Sequence, residues 1–435
     1  MIPLLLLLAV VGLMQAGRSF SSSVMSGGTE LAFGFLLLAA YFSGRLFGRL
    51  GLPRLTGYLV AGVLSGPFVL DLVTTDMTKS LHIVNGVASC ILGLTAGSEL
   101  NLKRVKPLAR TLRGLMIFAV IGGIVVLTGV VYAIRPMLPL FDGMDVTESL
   151  VVCLLLGVAL IPQSPAVVMA VLSETRADGP LSQIMLASVV VSDLVVILFY
   201  AIAAAIAGGV IGGGVDVLYT AGAVSWELLG SVAFGLAIGM LIGVFVRTVK
   251  QGAPMFALMI CIVVAEIGGR VHLDPLVVML AAGIWLENFS SAKSHDLLHS
   301  FESAQLPVFL VWFALAGTKL DVLTLWAMIV PVLIIVAARC AAFYLGAKLA
   351  TSGASTPIGV KQHAWLGLVP QAGLSLAFIV VIQNTFPTFG TAAAVLLLSV
   401  LGVNQLLSPV LLRRALIKSG EAGKKASVDF AAGGH

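Results

Sequence analysis

Charge is scarce in this chain. Asp, Glu, Lys and Arg make up only 10% of its 435 residues, against 59% hydrophobic. Soluble domains carry about 25% charged residues, so a water-facing surface of ordinary extent is excluded. Cysteine is scarce too. Cys90, Cys153, Cys261 and Cys340 each lie in an apolar run without metal-ligand spacing. They read as small core residues. His82, His272, His295 and His299 form no metal pattern either. The chain has no phosphate-cradling Gly-Lys loop, no strand-flanked GxGxxG and no catalytic-triad arrangement. Neither an enzyme nor a cofactor is expected, and a net charge of +5 does not suggest nucleic acid.

What remains is apolar length. Runs near 20 residues recur along nearly the whole chain, and mean hydropathy is +1.10. The reading is an all-α polytopic membrane protein in the lipid bilayer. About 13 spans follow residue 30, among them 55–73, 148–173, 180–209, 296–317, 322–350, 361–384 and 388–413. Of 25 Lys and Arg, 19 fall on one set of alternating loops and the tail, and five on the other. The positive-inside rule then puts the C-terminus in the cytoplasm. The expected location is the plasma membrane, which in a bacterium is the inner membrane. Residues 1–29 contain "PLLLLLAVVGLMQA", which reads either as a signal peptide or as one extra short helix.

Residues 210–253 are a Gly-rich loop and a linker helix. They divide the chain into six spans (30–209) and six spans (254–413), followed by a short tail, 414–435. An odd linker makes the second half enter from the opposite face, the inverted-repeat plan of secondary transporters. Each half breaks its fifth span at Pro-Gln. The first break, "VALIPQSPAVV", holds Pro162, Gln163, Ser164 and Pro165; the second, "GLVPQAGLSLAF", holds Pro370 and Gln371. A break frees backbone groups that lipid cannot satisfy, so it persists only where it is buried or lines a cavity. A single proline usually means only a kink. Two symmetric breaks predict crossed half-helices around one site.

Two charges stand beside these breaks. Asp193 lies in "SVVVSDLVVILFY", near Ser188 and Ser192, and Arg339 in "IIVAARCAAFYLG". Each charge at mid-membrane costs about 2.5–3.5 kcal/mol on the lenient insertion scale. The plain reading is a structural Asp193–Arg339 ion pair. The functional reading is that Asp193 holds a proton or a monovalent cation but not both, which couples their movements. Arg339 keeps its proton and serves as fixed charge compensation. Glu266 and Arg270 read as an interfacial i,i+4 pair. His363, opening the twelfth span, is a candidate for pH sensing, with a solvated loop histidine as the plainer alternative.

Four stretches carry a family resemblance: "GRLGLPRLTGYLVAGVLSGP" (48–67), "LTAGSELNLKRVK" (94–106), "ALIPQSPAVVMAVLSETRADGPL" (159–181) and "FALAGTKLDV" (313–322). In this order, over about 30–413, the chain resembles the monovalent cation:proton antiporter superfamily, the sodium/proton exchangers and Kef-like proteins. The resemblance implies a homodimer, and a core of 110–209 plus 322–413 that moves elevator-fashion against a scaffold. Where many members have Thr-Asp-Pro, this chain has Gln163-Ser164-Pro165. It has Ser192-Asp193 where electrogenic members have Asp-Asp, and Arg339 where they often have Lys. Both features resemble the electroneutral type. The resemblance therefore implies exchange of Na+ or K+ for one proton. Asp193 would be the shared ligand for the transported cation, with Ser192, Ser164 and Gln163 as neutral oxygen ligands.

Rival readings stay open at this point. A sodium-coupled organic-anion symporter could use the same crossed-helix plan, a cation channel could use a single midplane acid, and a non-transporting sensor could use a purely structural pair. Kef-like gated efflux is disfavoured, since its long cytoplasmic nucleotide-binding domain would have to come from a separate subunit.

Overall fold

A computed structural model describes residues 28–211, 222, 226–249, 252–290, 307–352, 356–371 and 373–425. The expectation for 1–27 and most of the Gly-rich loop therefore lie outside the described residues. So does the first half of the expected tenth span. The described residues contain helices and no strand. Six helices are long and apolar enough to cross a membrane by length and composition, and five shorter apolar helices accompany them.

In chain order, the first helices are α1 Gly28–Arg49, α2 Arg54–Ser65 and α3 His82–Glu99. After them come α4 Leu102–Met137, α5 Val146–Ala159, α6 Pro165–Thr175 and α7 Pro180–Ile211. Next stand α8 Trp226–Val249, α9 Ala253–Val271, α10 Pro275–Phe289 and α11 Pro307–Thr318. The last are α12 Ile329–Thr351, α13 Ile358–His363, α14 Gly373–Thr385 and α15 Gly390–Lys418. Most ends follow the apolar runs.

Some ends differ from expectation, and for two of them the backbone gives the reason. The second span stops at Ser65, with Gly66 extended ahead of Pro67, as pre-proline residues prefer. The chain then turns through Asp71 at φ 46°. The eleventh span divides at Met328 (φ −110°, ψ 20°), because Pro331 lacks the N–H that would bond the Ala327 carbonyl. The last helix continues past the expected 413 to Lys418.

Helices α3 and α10 pack together, with α8 and α9 alongside. A separate set joins α4, α5, α7 and α12; α6 touches both sets, and α15 packs on α5 and α12 and against α2, α6 and α14. Large apolar side chains such as Ile117, Val125, Leu198, Val244 and Met259 point outward. Water would penalise that surface and lipid would not.

Candidate functional site

The first break forms because two prolines bracket it. Helix α5 ends at Ala159, and Pro165 opens α6 at its first turn, where a missing N–H costs nothing. Ser164 caps α6, its hydroxyl accepting from Val167 N at 3.3 Å. In a continuous helix Ser164 N would bond the Leu160 carbonyl. Instead it donates to the Pro370 carbonyl at 3.0 Å. One backbone hydrogen bond thus joins the two breaks directly, although about two hundred residues separate them.

The breaks leave carbonyls without helical partners, and Arg339 collects them. It is fully buried. Nε donates to Leu160 O at 2.7 Å and Nη1 to Val369 O at 2.6 Å. Nη2 lies 3.2 Å from both Pro162 O and Leu368 O, and 3.4 Å from Ile161 O. The guanidinium also stands over Phe343, 4.7 Å from the ring centroid. Its donors therefore serve the carbonyl ends of both breaks. The Asp193–Arg339 ion pair is absent among the described residues, because the guanidinium is already filled by carbonyls.

Next to this crossing, α7 supplies Ser192 and Asp193. Ser192 is fully buried. Its hydroxyl hydrogen-bonds the Gln163 side-chain oxygen and lies 2.8 Å from Val189 O. Gln163 Nε2 donates to Ile161 O at 2.6 Å. Gln371 is held in the same way at the second break: its Nε2 donates to Ser375 Oγ at 3.0 Å, and Asn404 Nδ2 donates to its Oε1 at 2.9 Å. Asp193 differs, since its buried Oδ1 has no hydrogen-bond partner.

Asp193, Gln163, Ser164 and Pro165 line one cavity of about 410 Å³. Its other walls include His82, Glu227, Asp274, Lys319 and Gln405. These five are not among the sequence-derived site residues. Asp274 caps α10, accepting from Leu276 N at 2.8 Å and Val277 N at 3.4 Å. An Asp-Pro pair at a helix start carried that signal in the sequence. Gln405 was legible only as a polar residue in an apolar run. His363 is not a cavity residue; its ring meets Gly359 O at 3.2 Å near the end of α13. Glu266 and Arg270 form the expected exposed pair, Oε1 to Nη2 at 2.6 Å. Among the described residues no cluster could hold a resident metal ion.

The comparisons with known proteins bear on the fold and the family. The structure is similar to that of the sodium proton antiporter MjNhaP1 from Methanocaldococcus jannaschii at pH 8. That match has a TM-score of 0.61 at 15% identity, covering 89% of this chain and 97% of the other. A second structure of MjNhaP1, from an electron-microscopy map, gives a TM-score of 0.69 at 15% identity over 89% and 96%. A search of curated proteins finds no match. The family model "Sodium/hydrogen exchanger, transmembrane" matches residues 33–413. The chain is a multi-pass membrane protein and belongs to the sodium/hydrogen exchanger family, within the monovalent cation:proton antiporter superfamily its motifs resemble.

Proposed function

We propose that the chain exchanges one monovalent cation for one proton, both carried by Asp193. The observation that carries this reading is the unpartnered Asp193 Oδ1, in a cavity wall where two broken helices meet. A carboxylate satisfied by protein donors would have no need of a cation. This one is shielded, reachable from the cavity, and leaves its Oδ1 for an ion or a proton. Since a cation and a proton cannot share it, loading one expels the other, and alternating exposure of the site becomes exchange.

Electroneutrality follows from the charge count in this reading. Asp193 carries one negative charge, and Arg339 is a fixed positive charge held by carbonyls. The loaded site then has the same net charge with either passenger. The inverted repeat, the moving core of 110–209 plus 322–413 and the homodimer belong to the same proposal. It also takes the tail-bearing face as cytoplasmic, on the Lys and Arg distribution. Both Na+ and K+ are carried forward as passengers.

The test is proton flux in proteoliposomes loaded with a pH dye, with Na+, K+ and Li+ pulsed in turn. Wild type is expected to move protons with at least one cation. Asp193→Asn keeps the shape of the side chain and is expected to abolish that movement. No cation-driven flux in wild type, or full flux in Asp193→Asn, would overturn the proposal. Cation uptake that instead required an organic anion would turn the reading to symport.

A further inference from the structure

A cation in this cavity needs oxygen ligands besides Asp193, and the expected neutral ones already take part in hydrogen bonds. Gln163 is bonded at both ends of its amide. The Ser192 hydroxyl serves Gln163 and Val189, and Ser164 Oγ caps α6. Among the described side chains lining the cavity, two bury an oxygen without a partner: Asp193 Oδ1 and Gln405 Oε1.

Gln405 sits in the stretch "GVNQLLSP" of α15 and is 4% exposed. Leu398, Leu401 and Gln405 all line the cavity. Their i, i+3, i+7 spacing makes them one helical face. The neighbouring Asn404 bonds Gln371, which holds this part of α15 against the second break. Leaving a buried amide oxygen unpaired is unfavourable. A leucine in that place would avoid the cost and extend the Leu398–Leu401 surface. The amide can turn about its last bond, exchanging its oxygen and nitrogen, so the oxygen can be presented to the cavity. Alkali cations take hard oxygen ligands, as the other hard cations do, and a neutral carboxamide takes no proton in the working pH range. Gln405 can therefore favour the cation without favouring the proton.

We infer that Gln405 is a ligand for the transported monovalent cation, its amide oxygen completing with the Asp193 carboxylate a site spanning α7 and α15. This rests on the proposed exchange at Asp193. The test measures the half-saturating concentrations of Li+, Na+ and K+ for wild type, Gln405→Leu and Gln405→Glu in proteoliposomes. Thermal stabilisation of the same purified proteins by each cation gives a second readout. Gln405→Leu is expected to raise the half-saturating concentration about tenfold, the effect of losing one good contact, while the maximal rate changes less. Gln405→Glu is expected to tighten cation binding and reorder the three ions. Half-saturation within about twofold of wild type in both variants, with the ion order unchanged, would overturn the inference. If Gln405→Leu does not fold, Gln405→Glu decides alone. Wild type that exchanges while half-saturation is unmoved in the variants would sink only the Gln405 site. Wild type that is stabilised by cations, an effect lost in Gln405→Leu, yet moves no protons would keep Gln405 as a ligand and sink the exchange.

Discussion

Arg339 has five N–H donors on a planar fork, and the two breaks present backbone carbonyls on either side of it. A lysine would bring three donors from one point and could not span both breaks. Arg339→Lys is therefore expected to leave two or more carbonyls unpaired, at about 1–3 kcal/mol each. A clear fall in melting temperature in detergent would register that loss. An unchanged melt would show that the carbonyls find other partners. Arg339 and Asp193 were legible in the sequence because charge in an apolar run is conspicuous. Their partners were not, since an arginine satisfied by carbonyls looks the same in a sequence as one paired with a carboxylate.

Between elements, close packing depends on glycine. A Cβ on Gly97 would overlap the Leu280 carbonyl oxygen, and one on Gly283 the Leu94 carbonyl oxygen. Helices α3 and α10 thus approach backbone to backbone, the small-residue packing that membrane helices favour. Gly97→Leu is expected to push the pair apart and to lower the yield of monodisperse protein strongly; normal size-exclusion behaviour would contradict this packing. The end of the chain supplies another contact that the sequence did not announce. Glu421 is 5% exposed and caps α7, accepting from Leu181 N at 2.7 Å and from Ser182 N and Oγ at 2.8 Å. A carboxylate at a helix N-terminus is favoured by the free N–H groups and the dipole. Glu421→Ala is expected to cost about 1–2 kcal/mol, measurable as reduced thermal stability. Since α7 carries Asp193, the tail supports the helix of the proposed site.

At the scale of the whole molecule, Arg54 N donates to Glu174 Oε1 at 2.8 Å and Lys425 pairs with Glu99, so contacts on the tail-bearing face join residues outside the proposed core to α6 and to the tail. Arg413 Nη1 also reaches Gly51 O at 2.6 Å. Movement of a core against a scaffold would have to part these contacts. A short bifunctional thiol reagent joining Arg54→Cys to Glu174→Cys is expected to stop turnover, with restoration on cleavage. Undiminished turnover in the cross-linked protein would count against relative motion of these segments. Competition at one carboxylate also fixes a pH sign. As pH rises the proton leaves Asp193, so the half-saturating cation concentration falls, by up to about tenfold per pH unit for one-for-one competition. One-for-one exchange further requires turnover that is insensitive to membrane voltage, and a steep voltage dependence would exclude it.

Hydropathy, the two Pro-Gln breaks and the stranded charges were decided by the sequence alone. These are local matters: apolar length dictates a lipid-facing helix, proline removes an N–H wherever it stands, and a charge in an apolar run is costly in any fold. The tertiary structure decided which distant groups answer them. It brought Ser164 N to Pro370 O, gave Arg339 to carbonyls rather than to Asp193, set Gln405 beside the same cavity and folded Glu421 onto α7. Each joins residues far apart in the chain. Such contacts depend on how helices pack, and no local pattern of residue types encodes that.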